Sequence, residues 1–108
     1  MPDPRMKNAI EHHRSGRLPE AEDIYRAILQ DDAGHPDVHA RLGEIAYRTG
    51  HFKDAARLLH QALQLQPEKP EIWKQLIEAL VKAGYEDDAA KVLEEAQQLG
   101  LITVNTRP

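Results

Sequence analysis

The chain has 108 residues, of which 41% are hydrophobic, 30% charged and only 5% aromatic, with no cysteine and a formal net charge of -4. That is enough chain for one domain with a modest core and no metal or disulfide staple. The missing cysteines exclude disulfides, thiolate catalysis and Cys-ligated zinc, and the negative balance excludes a general affinity for nucleic acid, which rests on neutralising phosphates.

The first predicted helix follows Pro2 and carries a thin apolar set, Met6, Ala9 and Ile10, because Arg5, Asn8 and His12 occupy positions that later helices fill with mostly apolar residues. After Gly16 a better-formed helix runs through Leu18, Ala21, Ile24, Tyr25, Ile28 and Leu29. Pro36-Asp37 then reads as a helix start, with proline at the edge and an acid in the first turn. From Val38 the apolar residues Leu42, Ile45 and Ala46 recur at helical spacing until Gly50. A fourth helix runs from about Lys53 through Ala55, Leu58, Leu59, Ala62 and Leu63 to Pro67, which stops it. Pro70-Glu71 repeats the start signal before Trp73, Leu76, Ile77 and Leu80, and after Gly84 the sixth helix carries Ala89, Val92, Leu93 and Ala96.

These elements repeat. Gly16, Gly50 and Gly84 recur at an interval of 34 residues, as do Ala21, Ala55 and Ala89, and Pro2, Pro36 and Pro70. Three copies, 2–35, 36–69 and 70–103, place one domain over 1–103 and leave 104–108 as a tail. A helix-turn-helix unit of this length, with Leu42-Gly43, Ala46, Gly50, Phe52, Ala55, Leu59, Ala62 and Pro67 in the middle copy and Trp73, Leu76, Leu80, Gly84, Ala89, Leu93 and Ala96 in the third, resembles the tetratricopeptide repeat family. The sequence departs from the family pattern at Ile77, where a small residue is preferred, at Glu86, where Tyr85 stands one residue early for the usual aromatic, and at Ala33 and Leu101, in place of the closing proline.

The resemblance implies an all-α, right-handed superhelical solenoid of six helices. Small Ala21, Ala55 and Ala89 let paired helices approach, while Tyr25, Leu59 and Leu93 fill the space to the neighbouring repeat. It also implies a concave groove lined by the first helix of each copy, holding a peptide or a helix of another protein. Carried over position by position, the groove residues are Met6, Lys7, Ile10 and Arg14 of the first copy, Arg41, Glu44, Tyr47 and Arg48 of the second, and Lys74, Glu78 and Lys82 of the third. Arg14, Arg48 and Lys82 form one basic row. It reads either as a ladder of cations for an acidic peptide, or as ordinary helix-end chemistry in which Glu44–Arg48 and Glu78–Lys82 pair along their own helices. Asp3, Asp37 and Glu71 read as helix-start acids. The lysines, asparagines and arginine with which some family members clamp chaperone tails are not supplied by Met6, Ile10, Arg41, Glu71 and Gln75.

The six histidines read as ordinary surface residues. His12 and His13 are adjacent and point apart, Pro36 separates His35 from the helix of His39, and no third ligand joins His51 and His60. No catalytic residue, cofactor or metal is expected. The apolar runs are too short to span a membrane and MPDPRMKNAIEHH lacks the apolar stretch of a secretory signal, so a cytoplasmic location is the default. The tail segment, with Leu99, Leu101, Ile102 and Val104, folds back, meets another chain as a self-association surface, or continues into a longer protein. The reading that results is a non-catalytic adaptor or scaffold for a protein partner. Its alternative, from the first copy's likeness to repeats ahead of bacterial glycosyltransferase, sulfotransferase or methyltransferase domains, is the docking region of a larger enzyme.

Overall fold

A computed structural model describes residues 3–103; Pro2 and Val104 lie outside the described residues. Six helices follow one another, α1 Pro4–Arg14, α2 Leu18–Asp31, α3 Val38–Arg48, α4 Phe52–Leu65, α5 Pro70–Lys82 and α6 Glu86–Gln98, with no strand among the described residues. Chemistry at the helix ends sets this order. At the end of α3, Gly50 takes φ 83°, which lets its N–H donate to the Tyr47 carbonyl at 3.1 Å and the His51 N–H to the Ala46 carbonyl at 2.8 Å. Two orphan carbonyls are thereby satisfied, and the chain reverses into α4. α1 and α5 end in the same way, at Gly16 and Gly84. The second helix of each of the first two pairs ends differently, with Asp32 at φ -144° and Gln66 at φ -137° and no left-handed residue.

The starts are less uniform than the prolines suggest. Pro70 is the first residue of α5 and Pro4 that of α1, where Asp3 caps the helix by accepting the Arg5 N–H at 2.9 Å. The Arg5 guanidinium, 2.7 Å from the same carboxylate, holds Asp3 down at about 2. Pro36 does not open α3, which begins at Val38 after a turn spanning 36–37. Asp37 makes no cap with its side chain; its carboxylate faces Lys69 at 3.8 Å instead.

The core has two linked parts. Ala9, Ala21, Tyr25, Ile28, Val38, Leu42 and Ile45 pack with Leu58, while Ala55, Leu59, Ala62, Ile72, Trp73, Leu76 and Ala96 form the second cluster, so α4 contributes to both. Close approach is sharpest between α3 and α4. A Cβ added at Gly43 would lie 2.7 Å from Leu59 Cγ and 2.9 Å from its Cδ2, so glycine is the only residue that fits without a shift. Leu59 and Tyr25 are wholly buried, as their register predicts, but Leu93 is only half-buried because no further helix packs on α6 among the described residues. Tyr85 does not replace the missing aromatic at 86: it is 41% exposed, with Lys53 Nζ 5.8 Å from its ring centre, whereas Phe52 meets Tyr47 edge-on at 5.3 Å.

After α6 the chain turns back. Gly100, at φ 77°, closes the helix with the Leu101 N–H donating to the Ala96 carbonyl at 3.0 Å, which lays Leu101 and Ile102 against the second core cluster. Of the tail residues expected to offer an apolar contact surface, these two are partly spent on the chain's own core. Leu99 remains 60% exposed. No helix among the described residues is long and apolar enough to cross a membrane.

Candidate functional site

Of the first helices of the three pairs, α1 meets α3 where His13 faces Glu44. α3 touches α5 directly, and a hollow opens between them, walled by Asp37, Arg41, Glu44, Glu71 and Gln75 and floored by Ile72. A second hollow lies along α1, where Met6, Lys7, Ile10 and Arg14 come together beside Pro4 and Glu11. Met6 and Ile10 are half-buried and offer apolar surface, while Lys7 and Arg14 stand in solvent. Helical spacing accounts for this grouping, since residues three and four apart share a face. Arg41 and Glu44 are thus brought together with α5, Tyr47 is half-buried against Phe52, and Arg48, Lys74, Glu78 and Lys82 are exposed without sharing either hollow.

Charge on these helices is less neutralised than helix-end pairing would make it. Within 4 Å and among the described residues, the carboxylate partners are Asp3 and Asp31 for Arg5, Glu22 for Arg26, Asp54 for Arg57 and Asp37 for Lys69. Neither Glu44–Arg48 nor Glu78–Lys82 is among them. The reason at Glu44 is visible: its carboxylate turns to His13, with Oε2 3.5 Å from Nε2. Arg14, Arg48 and Lys82 are therefore exposed cations with no carboxylate within 4 Å among the described residues.

His13 corrects the reading of six surface histidines. It is 5% exposed and its Nδ1 lies 3.1 Å from the buried Tyr25 hydroxyl. Burial lowers its pKa, the Arg41 and Arg48 guanidinium groups lower it further, and only Glu44 opposes them. The signal was available, because Met6, Ala9, Ile10 and His13 form one stripe at helical spacing. His39 is also engaged, its Nε2 lying 2.9 Å from the Ala33 carbonyl. No group of three His, Cys, Asp or Glu side chains suited to a metal ion occurs among the described residues.

The tetratricopeptide repeat model matches residues 12–62 and again 49–99. The chain belongs to the tetratricopeptide repeat family. Solved structures agree on the repeat fold. A variant of MamA matches with a TM-score of 0.80 at 17% identity, covering 93% of this chain and 56% of its own. SycD, a type III secretion translocator chaperone of Yersinia enterocolitica, matches with a TM-score of 0.77 at 20% identity, covering 88% of this chain and 72% of its own. The chain therefore spans 56% of the length of that MamA variant. Among curated proteins no sequence matches.

Proposed function

We propose that this tetratricopeptide repeat unit is a non-catalytic interaction module whose inner face, formed by α1, α3 and α5, holds an acidic peptide or helix of a partner protein. The observation that carries the reading is the row of Arg14, Arg48 and Lys82: one position in three successive repeats, each exposed, none paired with a carboxylate among the described residues. A cation with no internal partner has no ion pair to break when a ligand carboxylate arrives, and guanidinium groups suit bidentate contact. Beside the row, Met6, Ile10 and Tyr47 offer half-buried apolar surface for an anchoring side chain. The fold shared with SycD supports a holding role of this general kind.

The test is the variant in which Arg14, Arg48 and Lys82 are all changed to glutamine, measured by fluorescence anisotropy against a Glu- and Asp-rich peptide with interspersed leucines and against its Gln/Asn counterpart. Surface changes of this sort leave folding within about 0.5 kcal/mol per site. Exposed charge pairs contribute about 0.2–1 kcal/mol each, so binding of the acidic peptide should weaken about threefold to a hundredfold. Wild-type binding should also fall with added salt. An acidic peptide held no better than its amide counterpart, or held equally by the variant, would contradict the assignment.

A further inference from the structure

Among the described residues no other histidine and no charged side chain is as enclosed as His13. It sits where three helices meet. From α2 the Tyr25 hydroxyl approaches Nδ1 at 3.1 Å, with the two rings edge to face at 75°. From α3 the Glu44 carboxylate faces Nε2 at 3.5 Å, and Arg41 and Arg48 of the same helix bring positive charge. A neutral ring suits this setting best in one tautomer: the Tyr25 hydroxyl donates to Nδ1, and the proton sits on Nε2, which makes no hydrogen bond and has the Glu44 carboxylate as its nearest acceptor at 3.5 Å. The reverse tautomer would aim a lone pair at a carboxylate. A second proton is disfavoured, since the added charge would be buried in the field of the Arg41 and Arg48 guanidinium groups, with a partly exposed Glu44 as its one counter-charge.

The joint that His13 occupies is also the weaker of the two between repeats. α2 packs on α3 much less extensively than α4 packs on α5. α1 buries just two side chains, Ala9 and His13 itself, so its attachment depends heavily on this ring. We propose that His13 makes the joint between the first and second repeats acid-labile, so that proton uptake by this one imidazole releases α1 and α2 from α3.

The direction follows from linkage. With its proton affinity depressed in the folded state, His13 takes up a proton more readily in the released state. The stabilisation it gives is complete above the ordinary imidazole value of about 6.5 and is lost as pH falls below it. Asp3, held down at about 2, stays ionised throughout that window. Release would remove Met6, Lys7, Ile10 and Arg14 from the inner face; this consequence for binding rests on the proposed function, whereas the release itself does not.

The experiment is amide hydrogen exchange at pH 7.5 and 5.5, corrected for intrinsic exchange rates, on the wild type and on His13→Gln, with an NMR titration of the wild-type His13 ring. Glutamine can accept from Tyr25 and does not titrate. At pH 5.5 the wild-type amides of α1 and α2 should lose protection relative to those of α4 and α5, the direction that a lowered proton affinity of folded-state His13 requires, and His13→Gln should show no selective loss. Equal loss in both proteins, or uniform loss across the helices, would overturn the proposal. If His13→Gln fails to fold, the ring titration decides: a wild-type His13 titrating at or above the ordinary imidazole value overturns it, and one titrating below supports it. Neither readout needs a partner, so failure of the acidic peptide to bind at either pH would count against the inner-face reading alone.

Discussion

Trp73→Ala is expected to lower stability by about 3–5 kcal/mol, the range for truncating a buried tryptophan. The side chain is 5% exposed, lies in the cluster formed by α4, α5 and α6, and donates its Nε1–H to the Pro67 carbonyl at 2.8 Å. It thus ties α5 to the turn that precedes it. Trp73→Phe should cost less, because most of the apolar contact survives and about 1 kcal/mol of hydrogen bonding goes. Urea unfolding followed by circular dichroism is the suitable measurement, since Trp73 is the one tryptophan of the chain. A midpoint for Trp73→Ala equal to that of Trp73→Phe would show that burial of the phenyl-sized part of the ring contributes nothing.

Leu59→Ala is expected to cost about 2–5 kcal/mol, as Leu59 is wholly buried between α3 and its neighbours. Its partner is Gly43. Gly43→Ala alone forces a methyl group to 2.7 Å from Leu59 Cγ, a branch point rather than a flexible end, and should cost about 1–3 kcal/mol. In the Leu59→Ala background that obstacle is gone. There the same change should be neutral or stabilising by up to about 1 kcal/mol, because alanine is the better helix former. The two positions should therefore couple strongly in a double-mutant cycle. Equal costs of Gly43→Ala in both backgrounds would mean that the helices do not meet at this point.

The fold was largely legible because the features that set it are local and repeat. Gly50 and its counterparts end the first helices through backbone conformation alone, and Ala21, Ala55 and Ala89 are buried as small residues at close contacts should be. Departures from the family pattern mattered less where the backbone performs the task. His39 bonds to the Ala33 carbonyl as Trp73 does to that of Pro67, and any residue at 33 supplies a carbonyl. The start of α3 was misplaced by two residues because Asp37 turned to Lys69, a partner set by tertiary structure. The same cause hid the true partner of Glu44, for which sequence spacing offered Arg48 and the fold supplied His13. His13 itself was passed over because its residue type outweighed its position on the apolar stripe of α1. The fold-back of Leu101 was left open among three alternatives, since Gly100 has no counterpart in the 34-residue register of the turn glycines.

The central claim, that the face formed by α1, α3 and α5 is the binding surface, is tested most directly by mapping amide chemical shifts of the isotopically labelled chain during titration with the acidic peptide. Perturbations should concentrate on these three helices, around Arg14, Arg48 and Lys82 and the hollow walled by Arg41 and Gln75, and should need more peptide to develop in the triple glutamine variant. Perturbations confined to α2, α4 and α6, or the same pattern with the peptide's uncharged counterpart, would contradict it.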